Sequence, residues 1–153
     1  MKVSSQLLVF ILDGYRYALY LPVVERVVRA VEITPLPKAP EIVLGVINIQ
    51  GRIVPVVNVR KRFRLPEREI DLGDQLILAN TSKRPVALLV DSVSGVVECS
   101  DQDVVAAQNI LPGVEYVEDF VKLEDGMVLI HNLDTFLSLD EGRALDIAIE
   151  GRQ

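Results

Sequence analysis

The stretch Gly45-Val-Ile-Asn-Ile-Gln-Gly-Arg-Ile-Val-Pro-Val-Val-Asn-Val59 constrains the fold more than any other part of the chain. Two β-rich apolar runs, Gly45–Ile49 and Ile53–Val59, meet at Gln50-Gly51. Glycine takes the positive φ that a tight turn needs, so the stretch reads as a hairpin. A hairpin with one wet face alternates apolar and polar residues, whereas nearly every position here is apolar. It is therefore expected to be covered on both sides, inside a small barrel or between two. Pro55 has no amide to give to a ladder, which predicts an edge or a bulge there.

The rest of the chain repeats the idiom of short strands and tight turns. Gln6–Leu12 and Tyr15–Leu21 flank Asp13-Gly14, a strong hairpin signal, and Pro22 ends the second run. Val23–Val31 reads as a short turn and then a strand. Ile33–Pro40 holds three prolines and is an extended connector. Arg60–Leu65 suits one helical turn, and Glu67–Gly73 a polar loop, the natural seam between two halves. Strands are then expected at Gln75–Ala79, Pro85–Val90 and Val93–Glu98, followed by a short helix or loop over Asp101–Gln108 that Leu111-Pro112-Gly113 breaks. Another hairpin spans Tyr116–Leu123 and Met127–His131. Asn132–Leu137 and Asp140–Glu150 are the helix candidates, the second with Asp140 and Glu141 where they suit the helix dipole.

A faint repeat runs through this order. Ala18–Val28 aligns without gaps on Ala87–Val97, and Gly51–Val59 resembles Gly126–Leu133 with one residue fewer. Either two valine-rich strands simply look alike, or the chain holds two similar small barrels. Hydrophobic residues make up 50% of the chain, aromatics 5%, and tryptophan is absent, so the core is aliphatic and strand-favouring. At 153 residues it is one domain's worth.

The composition also bounds function. One cysteine, Cys99, excludes an internal disulfide and a cysteine-cluster metal site, and suits a reducing compartment. Its acidic neighbours disfavour a thiolate. His131 is the only histidine and reads as a structural or surface residue on a strand. Phosphate loops, nucleophile elbows and dinucleotide fingerprints are missing from the sequence. No catalytic residue, cofactor or metal is therefore expected. The apolar run Leu7–Leu12 is too short for a secretory signal, and no run has the roughly twenty apolar residues of a membrane helix. The expected location is the cytoplasm.

Net charge is −6, split unevenly. Residues 1–84 hold 13 Lys and Arg against 8 Asp and Glu, and residues 85–153 hold 3 against 14. An acidic chain makes a poor nucleic-acid binder. The cluster Arg60-Lys61-Arg62, with Arg64, is read as a solvated turn, with RNA binding as its sharper alternative.

The run from Pro40 to Val59, P-x-I-V-L-G-V-I-N-I-Q-G-R-I-V-P-V-V-N-V, resembles the signature hairpin of CheW-like domains, and a weaker resemblance extends from about Gln6 to Leu137. The resemblance implies a mainly β fold: two SH3-like five-stranded β-barrels around a shared apolar core, with short helices and a C-terminal helix. The expected subdomains are residues 15–72 and 73–137, completed by the N-terminal strand and C-terminal helix. It also implies a non-catalytic adaptor standing alone, bridging a chemoreceptor's cytoplasmic tip and the regulatory domain of a CheA-type histidine kinase. Head-to-tail self-association is a further implied partner mode, steered by the charge split. Neither nucleic acid nor membrane insertion is expected. A small ligand-binding barrel or enzyme is the rival class.

The positions that match the family's contacts are Val24, Arg26, Gly45, Asn48 and Gln50 on the first barrel, and Val93 and Val96 on the second. Plain readings stand beside each. The valines are core, Gly45 serves backbone geometry, and Asn48 bonds its own turn. Two departures bear on recognition. The family commonly has an acid where this chain has Arg26 and an arginine where it has Gln50, so that ion pair is lost. Asn58 replaces a usual aspartate.

Overall fold

The computed structural model describes residues 4–29, 32–106, 117–123 and 126–150. Among the described residues eleven strands occur in this order: β1 (Ser4–Leu12), β2 (Tyr15–Tyr20), β3 (Val24–Arg29), β4 (Val43–Ile49), β5 (Arg52–Val57), β6 (Gln75–Asn80), β7 (Pro85–Val90), β8 (Ser92–Ser100), β9 (Val104–Ala106), β10 (Val117–Leu123) and β11 (Gly126–His131). The described residues also hold two α-helices, the single turn α1 (Val59–Arg62) between β5 and β6 and α2 (Leu139–Glu150) after β11. One sheet runs β3-β6-β7-β5-β4 and the other β8-β1-β2-β11-β10-β9.

The fold is mainly β, as the sequence implies, and the repeat is a real duplication. Antiparallel pairing matches Leu7 with Tyr20 in β1–β2 and Leu76 with Leu89 in β6–β7, a constant offset that also carries Ala18 onto Ala87. The parallel pairs Ile130–Ala18 and Val56–Ala87 are likewise equivalent. Bulges fall at matching places too, at Glu25 in β3 and Ser94 in β8, and at Leu44 in β4 and Glu118 in β10.

The expected subdomain division needs correction. The loop before β6 separates two sequence units, β1–β5 and β6–β11, but it does not separate the sheets. Each barrel takes its first hairpin from the other unit: β6–β7 completes β3-β5-β4, and β1–β2 completes the sheet of β8 to β11. Periodicity shows that a segment is a strand, but nothing in it names the sheet that the strand joins.

Three apolar clusters follow from strict alternation. Leu7 and Val9 face the interior of the second barrel, while Leu8, Phe10 and Leu12 face the core shared between barrels. Leu76 and Leu78 fill the first barrel, while Ile77 and Ala79 enter the shared core. With side chains at period two, such strands must be apolar on both faces. The β4–β5 hairpin obeys the same rule: Ile47, Ile49, Val54 and Val56 pack inside the first barrel, and Val43, Val46 and Val57 in the shared core.

Other local expectations are met or amended. Gln50 (φ 51°) and Gly51 (φ 86°) form the two-residue turn between Ile49 and Arg52, and Asp13 and Gly14 repeat it. Pro55 lies in an interior strand, not at an edge; pairing of β5 with β7 begins at Val56, just beyond the missing donor. Asn132–Leu137 is only a 3-10 turn at Leu133–Thr135, its start capped by the Asn132 side chain, which accepts the Asp134 amide. The Asp101–Gln108 stretch holds a 3-10 turn at Asp101–Asp103 and then β9. The breaker at Leu111–Gly113 lies outside the described residues.

Candidate partner-binding surface

The first barrel ends on one side at β3, which among the described residues pairs only with β6. Its burial alternates little: Val24, Val27 and Val28 are half-buried, while Glu25, Arg26 and Arg29 are exposed. Val24 and Val27 pack against the shared core, which is the plain reading of those valines. The hairpin tip carries Asn48 and Gln50, both exposed. The Asn48 Oδ1 accepts the Gly51 amide at 2.9 Å, so this side chain closes its own turn.

Gly45 is buried beneath the connector. Thr34 bridges to Val46, its amide donating at 2.9 Å to the Val46 carbonyl and its carbonyl accepting the Val46 amide at 2.8 Å. A Cβ on Gly45 would lie 2.4 Å from the Thr34 carbonyl oxygen and 2.8 Å from Ile33 Cγ2. Glycine at this position lets the connector cover the β4 edge. In the second barrel, Val93 is half-buried and also packs against the shared core, whereas Val96 is half exposed on β8. Gln75 holds the start of β8 by accepting the Val93 amide at 2.7 Å.

The lost ion pair is replaced by a neighbouring one. Arg52 Nη2 donates to both oxygens of Glu25, at 3.0 and 2.8 Å. Glu25 is the extra residue of the β3 bulge, and Arg52 stands opposite Ile49, whose side chain fills the first barrel. The pair therefore crosses the barrel at its hairpin end, one residue away from Arg26 and two from Gln50. Reading Arg26 and Gln50 alone could not find it, because a bulge changes which residue of an edge strand faces a neighbour.

The basic cluster is a solvated turn only in part: Lys61 and Arg64 are exposed, whereas Arg60 and Arg62 are half-buried. Arg60 donates bidentately to Asp91 at 2.9 and 2.8 Å, Lys61 pairs with Glu41 at 3.1 Å, and Arg62 donates to Glu141 at 2.6 and 2.7 Å. All three cations hold carboxylates of this chain, leaving little for a phosphate backbone. Asp91, at the crossover from β7 to β8, also accepts the Asp13 amide at 2.9 Å and Arg68 at 2.7 Å. Burial works against its charge, but the hydrogen bonds from Arg60 and Asp13 and the charges of Arg60 and Arg68 hold its carboxyl below the usual range. Sequence order gave no sign of this hub, whose members lie on both barrels.

His131 is structural. Only 5% exposed, it stacks on Phe63 at a centroid distance of 4.2 Å and meets Tyr17 edge-on at 5.2 Å. Burial pushes its pKa down to about 4, against the opposing pull of the Leu129 backbone. Cys99 is buried and free, and burial, more than Asp103 and Asp101, raises its thiol. Among the described residues no group of three or more His, Cys, Asp or Glu converges as a metal site, and no helix is long and apolar enough to cross a membrane.

Comparison with known proteins places this geometry. The CheW-like domain model matches residues 6–141. The chemotaxis protein CheW of Rhizobium meliloti is 33% identical over 113 residues, 72% of this chain and 73% of that one. The Treponema pallidum chemotaxis protein CheW is 25% identical over 142 residues, covering 89% and 84%. The crystal structure of the scaffolding protein TtCheW from Thermoanaerobacter tengcongensis superposes with a TM-score of 0.83 at 27% identity, over 91% of this chain and 96% of that one. With its doubled barrel, its glycine-turned hairpin and a family match over most of its length, this chain belongs to the CheW-like domain family.

Proposed function

We propose that this chain is a non-catalytic adaptor of the cytoplasm, coupling the tip of a chemoreceptor to the regulatory domain of a CheA-type histidine kinase. The observation that carries the reading is the free edge of the first barrel. There a strand side unpaired among the described residues, exposed Arg26 and the tip residues Asn48 and Gln50 stand beside the Glu25–Arg52 pair. A barrel packed on both faces is stiff, so a partner held at this edge is held at a fixed distance from one held elsewhere. Val24, Arg26, Gly45, Asn48, Gln50, Val93 and Val96 form the proposed receptor-facing set. Val96 offers exposed apolar area, while Gly45, Val24 and Val93 act through backbone shape and packing beneath it.

The test is reconstitution: kinase autophosphorylation measured with receptor-bearing membranes, with and without this protein. Receptor control of the kinase that needs this protein is the expected result. Failure to bind either partner would sink the proposal. Arg26 with Gln50 points to recognition retuned for a partner without the usual complementary charges. Restoring the family pattern with R26E and Q50R together should weaken capture of the native partner, and unchanged capture would refute retuning.

Head-to-tail self-association is a second reading, favoured by charge. Grouped by barrel, residues 24–90 hold eleven Lys and Arg against seven Asp and Glu, and the remainder five against fifteen. Opposite signs on the two barrels would steer one copy's first barrel to another's second, and salt would weaken it.

A further inference from the structure

The duplication gives the molecule two equivalent corners, and they are finished differently. Ala18 corresponds to Ala87 and Val56 to Ile130, so Asp13 corresponds to Ser82, Pro22 to Asp91 and Arg60 to Asp134. In the first corner the Asp13 amide donates to Asp91, Arg60 donates to the same carboxylate, and Arg68 reaches it at 2.7 Å from the loop before β6. With both guanidiniums in place, the cavity between Asn58, Leu89 and Asp91 is only about 100 Å³. The Asp91 amide also donates to the Ile11 carbonyl at 3.0 Å.

In the second corner no cation among the described residues takes that place. The Ser82 amide donates to Asp134 Oδ1 at 2.7 Å, the counterpart of the bond from Asp13 to Asp91. The accepting carboxylate, however, now stands at the position of Arg60. Pro22 holds the position of Asp91 and has no amide, so the Asn80 carbonyl goes without the donor that Ile11 receives. What remains is a cavity of about 410 Å³, within the range of small-molecule sites, with Tyr20, Val23, Asn80, His131 and Asn132 in its wall. Asp134 is exposed and is the one charged side chain among the described lining residues, because burial keeps His131 neutral at pH 7. It makes no ion pair among the described residues. Its position is nonetheless fixed, because its own amide donates to Asn132 Oδ1 at 3.1 Å while its carboxylate holds Ser82.

We infer that this cavity binds a guanidinium, which forks onto the Asp134 carboxylate beside the rings of Tyr20 and His131 and supplies the cation that Arg60 and Arg68 supply in the first corner. A carboxylate has lone pairs for the fork as well as for the Ser82 amide. A guanidinium is planar, weakly hydrated and able to stack on flat side chains, whereas an ammonium brings the same charge with neither fork nor plane. Its source is an arginine side chain of a partner protein or a free guanidino compound, and the recognising chemistry is the same for both. The site stands whether or not the adaptor reading does. One carboxylate that water still reaches makes a weak site, half-filled at roughly millimolar guanidinium.

Amide chemical shifts of the full chain, at pH 7 and low salt, test it. The probe is N-acetyl-arginine amide, which presents the side chain as a peptide does; free arginine and N-acetyl-lysine amide are titrated beside it. The Ser82 and Asp134 amide signals should shift saturably with blocked arginine, and blocked lysine should bind several-fold more weakly. D134N keeps an oxygen for the Ser82 amide, so its spectrum should otherwise match the wild type while affinity falls about tenfold or more. D140N, which removes an exposed carboxylate elsewhere, should bind as the wild type does. Free arginine binding more tightly than the blocked form assigns the site to a small guanidino compound, and equal or weaker binding assigns it to a partner's arginine. No saturable shift at Ser82 or Asp134 overturns the inference. So does equal binding of blocked lysine, or undiminished binding by D134N.

Discussion

His131 makes the shared core sensitive to acid, and the size of the effect follows from its burial. The ring is packed between Phe63 and Tyr17, and its Nδ1 has no hydrogen-bond partner among the described residues. Its pKa is about 4 in the fold against an ordinary value of 6.5. Between these values the unfolded chain binds a proton that the folded chain refuses, so stability falls as pH drops through that window and levels off below pH 4. At 1.36 kcal/mol per unit, the loss is roughly 2 kcal/mol at pH 5 and roughly 3 kcal/mol once both states are protonated. His131 is the only histidine, so few other groups titrate between pH 5 and 6.5. Asp91 and Glu141, whose carboxyls sit below their ordinary range, give stability that is lost only at lower pH. Urea unfolding at pH 7.5, 6 and 5 should therefore show the midpoint falling for the wild type. H131F keeps the stacked ring and removes an unpaired nitrogen, so it should match or exceed wild-type stability at pH 7.5 and stay level to pH 5. An equal slope in H131F, or a flat wild type, would refute the reasoning.

Three further outcomes are expected from urea unfolding. G45A forces a Cβ against the Thr34 carbonyl and should cost about 2 kcal/mol or more; a loss under about 0.5 kcal/mol would mean that the connector yields freely. D91A leaves Arg60, whose side chain is 11% exposed, with the Pro66 carbonyl at 2.7 Å and the Asp13 carboxylate at 3.6 Å, and should cost about 2 kcal/mol, more than D91N, which still accepts the Asp13 amide. R52Q breaks an exposed pair and should change stability by less than about 1 kcal/mol while altering partner capture, so a large loss of stability would make the pair structural.

Some of this protein was fixed locally and could be read in one dimension. Asp13-Gly14 and Gln50-Gly51 set their own turns, because a two-residue hairpin demands positive φ and these pairs supply it. The unbroken apolar runs of β4 and β5 announced burial on both faces, and the gapless match of Ala18–Val28 to Ala87–Val97 raised duplication without deciding it. Tertiary structure alone decided which sheet each hairpin joins, because both units carry the same pattern and either sheet would bury it. It also decided the polar partners. Arg60, Arg68, Asp13 and Asp91 are scattered along the chain, and a displaced ion pair such as Glu25–Arg52 depends on a bulge that shifts register by one residue. Periodicity is a property of neighbours along the backbone, whereas charge pairing is a property of neighbours in space.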